Sequence, residues 1–254
     1  MLTRVGHYFL ARDGESAPIE SRYLERDGYC IVKQAFSSQQ VTELKIDINR
    51  IFNEEGRNGG IRSGPAKADD MFRYGMFNRS AVCHEAIKNR SILRVIEPLI
   101  GEDCHVIANT AWRNPAGHCS NTGQSWHIDA GPHIPLLEGS SWPSSIPHPV
   151  FAIGVHIFLQ DCRKADGPTG VIPGSHLSGR FPPQDREMDD CLTYEDKQCE
   201  LILGEAGDVG MFVSDIWHRR MPATQDDQGR FFLQVHYGRR DIACLLYTSP
   251  SPRD

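Results

Sequence analysis

Arg230-Phe231-Phe232-Leu233-Gln234-Val235-His236-Tyr237 is the stretch on which the fold turns. Side chains alternate across a strand, so Arg230, Phe232, Gln234 and His236 share one face, while Phe231, Leu233, Val235 and Tyr237 share the other. The second face is wholly apolar or aromatic and suits burial against helices. The first carries a cation, an amide and an imidazole. A slip of one residue would exchange the two faces, so burial of the apolar one fixes the register.

Working back from this strand, Val106–Trp112, Phe151–Leu159, Gly170–Ile172, Glu200–Leu203 and Val209–Val213 are short runs rich in β-branched or aromatic residues. Clusters of Gly, Pro, Asn and Asp bound them, as expected of strands joined by turns. Before Cys104 the pattern is helical. Gly28–Val32 reads as a short strand, after which Ser37 and Gln40 have capping-box spacing. Val41, Leu44, Ile48, Ile51 and Phe52 then recur at helical intervals. A second helix is expected over 81–99, with Ile87, Leu93, Ile96 and Leu99 buried and Gly101 closing it. Residues 57–80 read as a Gly- and Arg-rich loop, and Gln184 to Glu200 as an acidic, solvated excursion. The fold class that follows is mainly β: a double-stranded β-helix of jelly-roll, cupin-like form over about 104–243, with supporting N-terminal helices over about 20–100. Residues 1–243 are expected to form one domain.

Composition excludes several function classes. The chain has 254 residues and a formal net charge of -6, with no basic stripe, so nucleic-acid binding is not expected. No run of about 18 apolar residues suggests a membrane span, and the N-terminus does not resemble a signal peptide. The eight cysteines are scattered singly, without a C-x-x-C pair, which points to reduced thiols in a cytoplasmic protein and away from a thiolate zinc site. The last eleven residues, Cys244–Asp254, resemble an in-frame translation of a transposon-end sequencing adapter. They are expected to be a non-native tail following native sequence that ends near Ala243.

The chemistry is concentrated in His127-Ile128-Asp129 and in His218. Residues i and i+2 of a strand project to one side, so an imidazole and a carboxylate are aimed at a common point. A second imidazole from a distant strand, His218, completes a set of two His and one carboxylate. Such a set leaves coordination positions open on a non-haem Fe(II). Pro222 to Gly229 is rich in turn formers, so the strands bearing His218 and Arg230 are expected to form a hairpin that brings Arg230 into the same cavity. Arg239, Arg240 and Arg73 are its rivals. Trp112, Gln124, Trp126 and Phe212 are the candidates to line that cavity. The chain has eleven histidines, and those outside the triad, His156 and His236 among them, are assigned structural or surface roles; His118 has a further option at the mouth of the site. His176 is expected to fix the turn after Pro173-Gly174.

Trp126-His127-Ile128-Asp129, Gly167-Pro168-Thr169-Gly170-Val171-Ile172-Pro173-Gly174-Ser175-His176, Gly207–Phe212, Trp217-His218 and Arg230, taken in order, resemble the phytanoyl-CoA dioxygenase family of Fe(II)- and 2-oxoglutarate-dependent oxygenases. The likeness runs from about residue 20 to 243. It implies that His127, Asp129 and His218 hold Fe(II), and that Arg230 meets the far carboxylate of 2-oxoglutarate. A small-molecule substrate would then be hydroxylated by O2, with succinate and CO2 as co-products. Relatives that halogenate carry a small residue in place of the carboxylate ligand, so Asp129 implies hydroxylation or a related oxidation. Two other readings share the fold: a non-oxidative metalloenzyme using Zn or Mn at the same residues, and a non-catalytic small-molecule-binding protein.

Overall fold

The computed structural model describes residues 2–5, 9–12, 17–54, 71–117, 123–143 and 145–241. The tail 244–254 and His118 lie outside the described residues. In chain order the elements are β1 (Leu2–Val5), β2 (Phe9–Arg12), α1 (Ile19–Arg26), β3 (Tyr29–Val32), α2 (Ser38–Glu54), β4 (Phe72–Tyr74), α3 (Ala81–Ala86) and α4 (Arg90–Ile100). Then come β5 (His105–Asn114), β6 (Ala152–Phe158), β7 (Thr169–Val171), β8 (Glu200–Ile202), β9 (Val209–Val213), β10 (His218–Arg220) and β11 (Arg230–Gly238).

Two sheets form the sandwich. The major sheet has six strands in the order β3-β9-β6-β11-β5-β4, and the minor sheet has three in the order β10-β7-β8. Each neighbouring pair is antiparallel. β11 is central because its two faces do different work. Phe231, Leu233, Val235 and Tyr237 join the core shared with α1, α2 and α4, and the Tyr237 hydroxyl donates to the Ile87 carbonyl at 2.8 Å. Phe232 and Gln234 face into the sandwich beside Arg230. The division read from the alternation therefore holds, and the jelly-roll class with it.

The helices form for the expected reasons, with two differences. Ser37 and Gln40 make a reciprocal box at the start of α2, Gln40 Oε1 accepting from the Ser37 N–H at 2.9 Å and Ser37 Oγ from the Gln40 N–H at 3.3 Å. The helix expected over 81–99 is broken. Ser80 caps α3, and Asn89 caps α4 by accepting from the Ser91 N–H at 2.8 Å. An Asn side chain that satisfies a backbone donor starts a new helix more readily than it sits inside one. This break also moves the buried stripe: Ile92, Val95, Ile96 and Ile100 are buried, whereas Ile87, Leu93 and Leu99 are only half-buried. The second difference is β4, which lies inside the expected loop and pairs Phe72, Arg73 and Tyr74 with Trp112, Ala111 and Thr110. Three residues carry too little periodicity to announce a strand. Among the described residues no helix is long and apolar enough to cross a membrane.

Candidate metal centre

His218 opens β10, and His127 faces it across an isolated bridge rather than from a regular strand. Both backbone bonds of that bridge are made, each N–H donating to the other residue's carbonyl at 2.9 Å. Two residues on, the Asp129 N–H donates to the Ser214 carbonyl at 2.9 Å. The extended spacing therefore survives without a sheet around it, because His127 is tied to the first residue of β10 and Asp129 to Ser214, between β9 and β10.

The ring orientations follow from short bonds to backbone. His127 Nδ1 lies 2.8 Å from the Ser125 carbonyl and His218 Nδ1 lies 3.0 Å from the Ile216 carbonyl. A carbonyl only accepts, so each Nδ1 carries the hydrogen and each Nε2 keeps its lone pair. Those two Nε2 atoms are 4.0 and 3.4 Å from Asp129 Oδ1, and the ligand atoms of all three residues lie within 4.8 Å of one another. Metal bonds of about 2.1 Å set neighbouring ligand atoms roughly 3 Å apart, so a small contraction closes this set around one ion. Two imidazoles and a carboxylate on one side, with space opposite, fit a non-haem Fe(II). Among the described residues this is the one such grouping of three.

Charge is arranged to match. Burial opposes ionisation of Asp129, but the neighbouring His218, His236 and His127 outweigh it and hold the carboxyl well below its usual range. Burial, and then His218 beside it, hold His127 below the ordinary imidazole value and so favour its neutral form. For His218 burial acts downward, but the Asp129 carboxylate more than offsets it and leaves the value raised.

The motifs around the triad act through backbone. Ser175 Oγ accepts from the Trp217 N–H at 2.8 Å, and the Ile172 N–H donates to the Trp217 carbonyl at 3.0 Å. The Pro173-Gly174-Ser175-His176 turn thus fixes the residue before His218. His176 Nε2 lies 3.0 Å from the Glu25 carbonyl, which ties the same turn to α1.

The triad opens into a cavity of about 270 Å³, close to the lower edge of the roughly 300–1,000 Å³ usual for small-molecule pockets. Trp112, Gln124, Phe212 and Arg230 line it. Trp126 does not. It belongs to a separate small core with Ile172, Leu192, Tyr194 and Trp217, and its ring lies 4.9 Å under the Arg219 guanidinium. An indole needs a partner for its N–H, and Trp126 Nε1 finds the Asp189 carbonyl at 2.8 Å, within the excursion after β7. That excursion is therefore partly folded over the minor sheet, with Leu192 and Tyr194 buried.

Arg230 reaches the cavity by a different route from the one expected. β10 and β11 are not a hairpin: β10 pairs with β7 in the minor sheet and β11 with β5 and β6 in the major one. The connection between them bonds elsewhere, the Met221, Thr224 and Gln228 N–H groups donating to Pro168 O, Ala165 O and Asp166 Oδ1. Arg230 is buried, its Nη2 lies 3.4 Å from Thr169 Oγ1, and its guanidinium stands 4.7 Å over the Phe232 ring. Its rivals are placed elsewhere: Arg239 pairs with Asp241, Arg240 lies near Asp103, and Arg73 packs on the Phe52 ring.

Two histidines beside the triad or its cavity escaped the sequence reading. His236 Nε2 is 3.7 Å from Asp129 Oδ2 and accepts from Gln234 Nε2 at 2.8 Å, while Gln234 Oε1 accepts from Trp112 Nε1 at 2.7 Å. The alternation of β11, which puts Gln234 and His236 on the Arg230 face, was the available signal. His156 lines the cavity from β6, whose seven residues are all buried and give no alternation to read.

The comparisons agree with the fold. The epimerase SnoN from nogalamycin biosynthesis superposes with a TM-score of 0.63 at 17% identity, covering 87% of this chain and 82% of its own. EctD from S. alaskensis, with 2-oxoglutarate and 5-hydroxyectoine, gives a TM-score of 0.69 at 17% identity, over 92% of this chain and 80% of its own. HygX from Streptomyces hygroscopicus, with nickel and 2-oxoglutarate, gives 0.63 at 13% identity over 87% and 86%. No curated protein matches the chain. The family model described as phytanoyl-CoA dioxygenase (PhyH) matches residues 24–226, and the chain belongs to that family of Fe- and 2-oxoglutarate-dependent oxygenases.

Proposed function

We propose that His127, Asp129 and His218 hold the iron, that Arg230 pairs with the remote carboxylate of 2-oxoglutarate, and that the enzyme uses O2 to hydroxylate a small molecule. When bound, the iron supplies the oxygen activation that couples oxidative decarboxylation of 2-oxoglutarate to oxidation of a substrate C–H. The chain's own residues orient and exclude. The Ser125 and Ile216 carbonyls set both ring tautomers. Arg230 offers a planar fork that suits a carboxylate better than a lysine would. Phe212, Phe232 and Trp112 wall the cavity with apolar surface. The observation that carries the proposal is the convergence of two Nε2 lone pairs on a carboxylate, with both Nδ1 atoms bound to backbone.

The helices and both sheets contribute to one core, which supports treating residues 1–243 as a single oxygenase domain. The described cysteines are free thiols, which supports a cytoplasmic location, and the mild acidity supports a protein that acts without nucleic acid or membrane. Anaerobic titration with Fe(II) and then 2-oxoglutarate tests the proposal. A weak metal-to-ligand charge-transfer band in the mid-visible is expected from the wild type and not from His127→Ala. Its absence from the wild type, with both ligands bound by calorimetry, would overturn the chelation that the proposal requires.

A further inference from the structure

His156 stands at the middle of β6, opposite Gln234 on β11 and Gly210 on β9, with its ring turned into the cavity. It is 5% exposed, and neither Nδ1 nor Nε2 has a hydrogen-bond partner among the described residues. The ring cannot turn away to find one. It is held edge-on to Phe212 at 5.2 Å and tilted against Phe232 at 4.6 Å. Phe212 is itself held close against Gly154, where a Cβ would meet ring carbons at 2.9–3.3 Å. Gln234, its register partner on β11, is already engaged by Trp112 and His236. Buried polar groups are almost always satisfied, and one that is not needs an account.

The charges around His156 keep it neutral. After burial, Arg230 is the strongest influence holding the ring neutral, followed by His236, with Asp129 and His218 also felt. His156 lines the same cavity as Arg230 and the triad. A neutral imidazole always has one N–H to donate, which an anion beside Arg230 can accept.

We infer that His156 donates a hydrogen bond to the 2-oxoglutarate carboxylate held by Arg230, and so positions the co-substrate between that arginine and the metal ligands. This rests on the assignment of Arg230 given above, and the test separates the two. 2-Oxoglutarate affinity is measured by anaerobic calorimetry on the Mn(II)-loaded full chain, for wild type, His156→Phe, His156→Gln and Arg230→Ala. The same titrations are repeated with 2-oxopentanoate, which has a methyl group where 2-oxoglutarate has its far carboxylate.

His156→Phe is expected to weaken 2-oxoglutarate about 10- to 100-fold, the range for a bond to a charged group, with Mn(II) affinity unchanged. His156→Gln keeps a donor and recovers part of the loss. With 2-oxopentanoate, His156→Phe is expected to match the wild type. The melting temperature should not fall, since an apolar ring replaces an unpartnered polar one. If Phe prevents folding, His156→Leu puts the same question. Unchanged 2-oxoglutarate affinity in the folded variant, or an equal loss with 2-oxopentanoate, overturns the role of His156. If Arg230→Ala also binds 2-oxoglutarate normally, it is the arginine assignment that has failed.

Discussion

Arg230→Ala is the perturbation with the best-defined size. The guanidinium is buried, stacked on Phe232 and anchored at Thr169, so its fork is already oriented when an anion arrives. Two other arginines border the cavity, Arg219, which is engaged by Asp190, and Arg220, whose guanidinium lies beside Gly167. Truncation leaves a carboxylate in a partly desolvated pocket without its partner, at a cost of about 2–5 kcal/mol. That corresponds to a weakening of roughly thirtyfold to several thousandfold. Anaerobic calorimetry gives the 2-oxoglutarate dissociation constant, and a parallel Fe(II) titration should be nearly unchanged because the three proposed ligands are left in place. Arg230→Lys should recover only part of the loss, a point charge replacing two parallel donors. Wild-type 2-oxoglutarate affinity in a folded alanine variant would refute the reasoning and move the role to Arg219 or Arg220, the other arginines on the cavity.

Asp129→Ala should leave the fold standing and remove nearly all succinate production at saturating Fe(II); near-wild-type turnover without added halide would show that the carboxylate is not a ligand. Gly154→Ala drives a methyl group into the Phe212 ring, so a loss of about 1–3 kcal/mol is expected. At roughly 2–4 °C per kcal/mol this lowers Tm by about 2–12 °C, and an unchanged Tm would mean the ring yields freely. His176 carries a pH signature: burial first, eased by its bond to the Glu25 carbonyl, holds the ring down at about 4 against 6.5 for a free imidazole. As pH falls from 6.5 toward about 4 the unfolded chain binds a proton that the folded chain refuses, so stability present above 6.5 is progressively lost and then levels off. Urea midpoints at neutral and mildly acidic pH should converge in His176→Gln relative to wild type; an undiminished difference would remove His176 from the acid response.

The sequence was most readable where burial is one-sided. β11 declares both faces by alternation, and the Ser37–Gln40 box declares its helix, because each pattern is a local rule the tertiary structure leaves intact. β6 is buried on both faces, so nothing along it marks His156 as facing the cavity and Ile157 as facing the helices. The path of Arg230 was unreadable for another reason. A turn-rich segment joins strands of one sheet or crosses between two, and the choice is made by partners at Ala165, Asp166 and Pro168 that are distant in sequence. Trp126 was misplaced because its neighbour His127 faces the cavity, and adjacent residues of an extended segment face opposite ways. Applied to residue 126 as it was to 129, that rule would have sent the indole to the far side.

The paired backbone bonds between His127 and His218 set how the protein lives with its metal. Small domains whose ligands come together only around an ion unfold when the ion leaves. Here the peptide groups have already done the gathering, and the ordering entropy of the two rings is spent during folding. The enzyme stripped of iron is therefore expected to keep its fold and to rebind the ion, which circular dichroism before and after chelation checks.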